Sequence, residues 1–468
     1  MMTENNSSVL TASRNEKVKK TALLITTITA FTTPFMSSSI NIALPAIGKE
    51  FMLNAVLLSW VASSFLLSAA VLLVPFGKLA DIYGRKKLFM VGVIIYTAAS
   101  LFCALSPTVL LLIAFRIIQG IGSALVFGTA VAILSSVYPP GERGRALGIN
   151  VSVTYLGLSI GPFLGGVLTQ NLGWRSLFYV NVPLGIIVIF LVLARLKGEW
   201  AEARGEKFDA GGSVILCLAL VALMYGFTLL PSINGSILLL FAIAGFLIFI
   251  RWESRAESPV LNLRLFSNNT VFMFSNAAAL INYSATFAIG FLLSLYLQYI
   301  KAFTPQRAGL VLVAQPVVMM LVSPFAGRLS DRVEPGVLAS IGMGLLTLGL
   351  FVLAFISALT PTGYIILALL VIGIGFGLFT SPNTNAIMSS VEKKLYGVAS
   401  ATLATMRLTG QMLSMAISIM VFSVVIGNIR ITPEYYGLFL YSVKMLFAAF
   451  SVLCLLGVFA SLKRGKLR

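Results

Sequence analysis

Apolar residues in this chain neither alternate nor form stripes; they run almost unbroken for about 20 residues at a time, with short polar interruptions between the runs. A helix rises 1.5 Å per residue, so each run is long enough to cross about 30 Å of hydrocarbon. The pattern predicts fourteen membrane-spanning helices, over 21–45, 55–76, 88–106, 108–136, 145–169, 175–195, 210–230, 235–251, 270–299, 306–327, 336–358, 361–386, 396–427 and 437–462. The first run follows Lys17, Lys19 and Lys20 as a signal peptide would, but it is too long and no small-residue cleavage site follows it, so it reads as a spanning helix.

An even number of spans returns the C-terminus to the side of the N-terminus. Most of the 33 basic residues then fall on that shared side. Only Lys49, Arg175, Lys301, Arg307 and Arg430 lie on the other, with Arg116, Arg407 and Lys444 inside spans. Basic loops stay cytoplasmic, so the expected location is the inner (cytoplasmic) cell membrane, multi-pass, with both termini in the cytoplasm.

Composition agrees: 58% of residues are hydrophobic and 10% charged, too few for a water-soluble surface. The formal charge of +18 is spread over short loops and gathered on no polar domain, which argues against nucleic acid as a partner. Cys103, Cys217 and Cys454 sit in apolar runs without CxxC pairing, so neither a disulfide framework nor a metal site is expected. The chain has no histidine, removing the usual imidazole base and metal ligand. A GxxxxGK[ST] phosphate loop is absent too, so nothing points to an enzyme or to ATP-driven pumping.

A repeat is visible. Gly77-Lys-Leu-Ala-Asp81 closes the second span and Gly327-Arg-Leu-Ser-Asp331-Arg332 closes the tenth. Eight spans separate the copies, so the predicted architecture is all-α: two six-helix bundles in parallel repeat with two helices inserted between them. The expected divisions are a tail at 1–20, a first bundle at 21–195, an insert with polar linkers at 196–269, a second bundle at 270–462 and a tail at 463–468.

Three motifs carry more specific expectations. The stretch Gly77-Lys-Leu-Ala-Asp81-Ile-Tyr-Gly84-Arg85-Lys86-Lys87 resembles the loop between spans two and three of the major facilitator superfamily. Its glycines permit a tight turn and close helix approach, and Asp81 can face a helix N-terminus. The resemblance implies a conformational latch made of Gly77, Asp81, Gly84, Arg85 and Lys86, with the start of span thirteen, 397–401, as the partner of Asp81. Gly157-x-x-x-Gly161-Pro162-x-x-Gly165-Gly166 in span five resembles the motif of the exporting, antiporter branch; tight helix packing alone would explain the same glycines. Leu112-x-x-x-Arg116-x-x-Gln119-Gly120-x-Gly122 is similar to the family's buried-arginine motif. An arginine inside a span costs about 2.5 to 3.5 kcal/mol on insertion scales and must find partners. The resemblance implies proton coupling for it; a structural role, bonding backbone carbonyls, is the alternative.

Ser39-Ile-Asn41-Ile-Ala-Leu-Pro45, Trp174-Arg175-x-x-Phe178-Tyr-x-Asn181-x-Pro183-x-Gly185, Ser381-Pro382-Asn383-x-Asn385 and Arg407-x-x-Gly410-Gln411 resemble the fourteen-helix drug:proton antiporters of that superfamily. The resemblance implies the major facilitator fold and secondary active export of amphiphilic small molecules by proton antiport, with the proton gradient as driving force and no cofactor; the sequence does not fix an oligomeric state, and a monomer in the bilayer is the expectation. One position departs from it: Met36 stands where that subgroup commonly has an aspartate, and no acidic residue falls at the middle of a span. The interior polar candidates for proton coupling or the substrate cavity are therefore Asn41, Arg116, Gln119, Arg407 and Gln411, making the cavity neutral to positive. Neutral or anionic amphiphiles are the expected substrates, and the missing acid keeps a uniporter or uptake system on the same fold open as an alternative.

Overall fold

The computed structural model of the chain describes residues 2–256, 259–260, 266, 269–330, 332–392, 396–427 and 429–465. Asp331, in the second copy of the loop motif, lies outside them. Fourteen helices are long and apolar enough to cross a membrane. They are α1 (Met2–Glu50), α2 (Ala55–Tyr83), α3 (Arg85–Ala104), α4 (Val109–Val137), α5 (Pro140–Leu172), α6 (Arg175–Arg195), α7 (Ala210–Leu229), α8 (Ile233–Glu253), α9 (Thr270–Ile300), α10 (Pro305–Ser330), α11 (Pro335–Leu353), α12 (Thr362–Ser389), α13 (Tyr396–Val425) and α14 (Tyr436–Leu462).

Residues 2–20, in the expected tail, are helical and continuous with α1, because no glycine or proline interrupts the helix before Pro34. At the other end Arg464 folds back instead of trailing into solvent. Its side chain is buried, with Nε donating to the Ser461 carbonyl (2.8 Å) and Nη1 to Asn383 Oδ1 (3.1 Å). Burial pushes its pKa down to about 10, which leaves it charged at neutral pH.

Helices α1–α6 pack among themselves, as do α9–α14, while α7 and α8 pair with each other. The inserted α7 lies against both α2 and α13 and so bridges the two bundles at one side. Within each bundle one close crossing is made by glycine on glycine. In the first, a Cβ on Gly92 would lie 2.9 Å from the Gly122 carbonyl oxygen, where α3 crosses α4. In the second, a Cβ on Gly342 would lie 2.6 Å from the Gly375 oxygen, where α11 crosses α12. Lipid supplies no hydrophobic force between helices, so close backbone approach and its dispersion energy hold such pairs together. The same device recurs at equivalent crossings of the two bundles.

These contacts set a stability prediction. Gly92→Leu or Gly342→Leu meets backbone atoms that cannot move aside and should cost at least about 1–3 kcal/mol. Thermal unfolding in detergent should show a lower midpoint for each variant, whereas Gly344→Leu, with open space at its Cβ, should leave it unchanged.

Candidate functional site

The two bundles are hydrogen-bonded to each other at one end only. Every such bond between described residues lies at the end opposite the Gly77–Lys87 loop: Ser294 Oγ to the Asn41 carbonyl (2.6 Å), Gln298 Nε2 to the Ile42 carbonyl (3.0 Å), Gln306 N to Gln170 Oε1 (3.3 Å) and Ala55 N to the Ile429 carbonyl (3.3 Å). The sequence explains why α1 offers a free acceptor there. Pro45 has no N–H to give the carbonyl four residues earlier, which is that of Asn41. The hydroxyl of Ser294 on α9 takes its place.

Helix α9 is shaped for this. Its ladder breaks at Phe287, where the Ala288 amide turns to Ser414 Oγ on α13 (3.0 Å), and it ends in a π-turn at Tyr296–Ile300 that follows Ser294 and contains Gln298, the two donors to α1. Phe291, Phe422, Phe439 and Tyr299 form a chain of rings 6.0 to 6.3 Å apart beside it. Neither Ser294 nor Gln298 stood out in the sequence; Pro45 four residues after Asn41 was the signal available.

The span-five motif divides its work between the two bundles. Gly157, Gly161 and Gly165 face α1: Cβ atoms would meet the Phe31 carbonyl oxygen (2.6 Å), the Ser38 hydroxyl and Ser39 Cβ (2.7 Å), and Ser39 Oγ donates to the Gly161 carbonyl (2.8 Å). Gly166 and Pro162 face α10 of the second bundle. A Cβ on Gly166 would sit 2.5 Å from the Pro305 carbonyl oxygen, and the Pro162 carbonyl fills the space beside Gly309. The motif thus packs one bundle and also closes the junction at the far end.

The two arginines within the spans have opposite environments. Arg116 is 1% exposed and enclosed within the first bundle, donating through Nε to the Val61 carbonyl (3.1 Å), Nη1 to Gln119 Oε1 (2.7 Å) and Nη2 to the Ala62 carbonyl (3.5 Å), with its guanidinium over the Phe65 ring. Gln119 in turn donates to Ser100 Oγ (2.8 Å). Arg116 and Gln119 therefore form a satisfied network, which is the arrangement of the structural alternative. Arg407 on α13 is half-buried, no described carboxylate pairs with it, and its Nε has no hydrogen-bond partner among the described residues. It stands near Tyr283 on α9 and Tyr155 on α5, and both tyrosines stand beside Thr380 of α12. Tyr155 belongs to the first bundle and the others to the second, so this cluster lies where the bundles meet. Gln411 is one turn along from Arg407 and half-buried. Asn41 meets α9 near Gly290, whose Cβ would lie 3.6 Å from Asn41 Nδ2. The tyrosines carried no sequence signal, because nothing local distinguishes them from packing aromatics.

Met36 is fully buried, and Asn181 Nδ2 donates to its sulfur (3.4 Å). Asn181 Oδ1 and Tyr96 Oη have no described partner and line a pocket of about 10 Å³ with Thr29, Thr32 and Thr33, about the room one water needs.

At the opposite end Asp81 does not meet the start of α13, the partner implied by the family resemblance. Its Oδ1 accepts from Arg85 Nε (2.7 Å), and the linker between α6 and α7 covers the loop. Arg85 holds Glu202 through two bonds (Nη1 to Oε1 2.7 Å, Nη2 to Oε2 3.0 Å), Lys78 pairs with Glu206 (2.6 Å), and the Ala203 amide donates to the Asp81 carbonyl (3.0 Å). Glu199 sits on the N-terminus of α3 and accepts from the amides of Lys86 (2.8 Å) and Lys87 (3.2 Å), so the carboxylate at a helix dipole is Glu199. Gly84 has φ +116°, and a Cβ there would lie 2.6 Å from the Glu199 carboxyl carbon, so glycine is required. Gly77 has room for a Cβ, so close approach is not its role in this conformation.

Two helical bundles joined at one end around a polar junction define a multi-pass membrane protein. Residues 26–415 match the Major Facilitator Superfamily, and the chain belongs to that family. It is a transporter and not an enzyme. The chain is 31% identical over 396 residues to the riboflavin transporter RibZ of Clostridioides difficile (strain 630), covering 84% of this chain and 85% of that one. It is 32% identical over 384 residues to the multidrug resistance protein Stp of Mycobacterium tuberculosis (81% and 71% covered). It is 30% identical over 369 residues to the tetracenomycin C resistance and export protein of Streptomyces glaucescens (78% and 68%). Among solved structures, a bacterial homolog of the human lysosomal transporter Spinster in an inward-facing, unoccupied conformation shares the fold, with TM-score 0.65, 16% identity and 96% and 97% of the two chains covered.

Two measurements test the gate geometry. In a Gln170→Cys/Gln306→Cys pair, adding Gly166→Val should lower disulfide yield about five-fold or more, since a side chain meets the Pro305 carbonyl; an unchanged yield would remove Gly166 from the closure. For the linker, the hydrogen bond from Arg85 holds the Glu202 carboxyl below the usual carboxylate range. A lowered folded pKa gives stability that is present above the ordinary value and is lost as pH falls through the lowered one. Hydrogen exchange in the Asp81–Lys87 loop should therefore stay slow at neutral pH and accelerate only on acidification below the carboxylate range. Glu202→Gln should abolish that acid step.

Proposed function

We propose that this transporter exports neutral or anionic amphiphilic small molecules across the cell membrane by proton antiport, with both termini in the cytoplasm and no cofactor. The observation that carries the reading is Arg407: a cation without a described counter-charge, placed with Tyr155 and Tyr283 where the two bundles meet. A substrate lodged there touches both bundles, so its binding depends on how they are disposed, and that dependence is what alternating access requires. A guanidinium flanked by aromatic rings and hydroxyls favours planar molecules bearing an anionic or hydrogen-bond-accepting edge. Drug export and riboflavin transport among the relatives are compatible with that chemistry.

Export would proceed by loosening the contacts of Ser294 and Gln298 with α1 and of Gly166 with α10 while the Gly77–Lys87 end closes. The closure of that end would engage Asp81 and Arg85, which the 196–209 linker holds in the present state. Antiport is supported by the Gly157–Gly166 motif. With Met36 in place of an acid, coupling falls to groups other than a midplane carboxylate.

In purified proteoliposomes, adding an anionic aromatic substrate should discharge an imposed proton gradient. Substrate movement with no proton movement would instead establish a uniporter. Arg407→Gln should raise KM for the anionic substrate by on the order of ten-fold while sparing a lipophilic dication. Equal loss for both substrates would place Arg407 in the gating machinery.

A further inference from the structure

The inserted helices carry a second polar feature, remote from the junction of the bundles. On α8 and the turn after it, Ile248, Arg251, Trp252 and Arg255 follow one another at i, i+3, i+4 and i+7, so one face changes from apolar to cationic within a turn. This face opposes the start of α7, and between them lies a cleft of about 740 Å³ into which Lys207 also reaches. Lys207, Arg251 and Arg255 are exposed, and none of them has a partner among the described residues. The one carboxylate in the lining, Asp209, is already engaged: its Oδ1 caps α7 by accepting from Gly212 N (2.9 Å), and both its oxygens accept from Trp252 Nε1 (3.1 and 3.0 Å). Those bonds, together with Gly211, whose Cβ would lie 2.7 Å from the indole, fix the Trp252 ring as a wall of the cleft.

We infer that this cleft binds the headgroup of an anionic phospholipid from the leaflet on the side of the Gly77–Lys87 loop. Three cations against one engaged carboxylate select a phosphate-bearing anion. What selects a lipid over a free anion is the surface below: α8 is the least enclosed of the fourteen helices, and Phe241, Leu247 and Ile248 are more than half exposed on it. Acyl chains can lie along these residues while the headgroup meets Arg251 and Arg255, and an indole at the boundary suits that level of a bilayer. Because α7 also touches α2 and α13, a lipid held here occupies the element that bridges the bundles.

The test is native mass spectrometry of the full chain released from nanodiscs of phosphatidylglycerol, phosphatidylcholine or an equal mixture, with inorganic phosphate as a separate arm. Phosphatidylglycerol should be retained in preference to phosphatidylcholine. Each cation near the surface contributes about five-fold, so Arg251→Gln/Arg255→Gln should lower that preference about thirty-fold, and Lys207→Gln alone about five-fold. Lys463→Gln, an exposed lysine outside the cleft, should leave it intact, and inorganic phosphate should not displace the lipid. Unchanged preference in both cleft variants would overturn the assignment, as would displacement by phosphate, which would make the cleft a site for free anions.

Discussion

A proline inside a membrane helix leaves one carbonyl without its amide donor, and lipid offers no water to replace it. That constraint shapes the junction of this transporter. The Asn41 carbonyl, freed by Pro45, must be satisfied by protein, and the protein supplies a donor from the opposite bundle. A bond that would have been internal to α1 becomes a bond between bundles. It can therefore be made in one conformation and given up in another, when the far end opens and water reaches the carbonyl. The π-turn ending α9 and the Ser414 hydroxyl at its break belong to the same arrangement, since a regular α9 would have no backbone amide free to turn to α13.

Charge follows a matching logic. Arg116 is buried within the first bundle, and each of its three nitrogens donates to a carbonyl or to Gln119. Its cost is offset inside the first bundle, which it helps to hold rigid. Arg407 stands at the junction without such compensation. Arg116 is thus enclosed within one bundle, whereas Arg407 is half-buried where the two bundles meet. At the basic end the exposed charges are held differently: Glu199, Glu202 and Glu206 tie the 196–209 linker across the Asp81–Arg85 loop. The Lys78–Glu206 pair is solvent-exposed and individually weak, whereas Arg85 holds Asp81 and Glu202 from a buried position.

Much of this was legible in the sequence. The fourteen spans follow from the lengths of apolar runs, because bilayer thickness fixes helix length and few residues can cross otherwise. The two-bundle plan was visible in the Gly77 and Gly327 stretches, and the importance of span five in the regular spacing of Gly157, Gly161 and Gly165. Less visible was what each motif touches. Gly157, Gly161 and Gly165 pack against α1 while Gly166 packs against α10, and only direction around the helix separates the two sets. The first helix is longer than its apolar run, since helical propensity carries past the membrane boundary at Lys17–Lys20.

What the sequence determined by itself was whatever depends on a single helix and its solvent: the number of spans, the positions where backbone bonding must fail, and the scarcity of acidic residues within the spans. What tertiary structure decided was partnership. Which arginine is satisfied and which is open, which serine meets the carbonyl freed by Pro45, that Tyr155 and Tyr283 stand beside Arg407, and that the linker covers Asp81 all depend on residues far apart in the chain. No local pattern encodes such pairings, because they arise from the register in which whole helices cross.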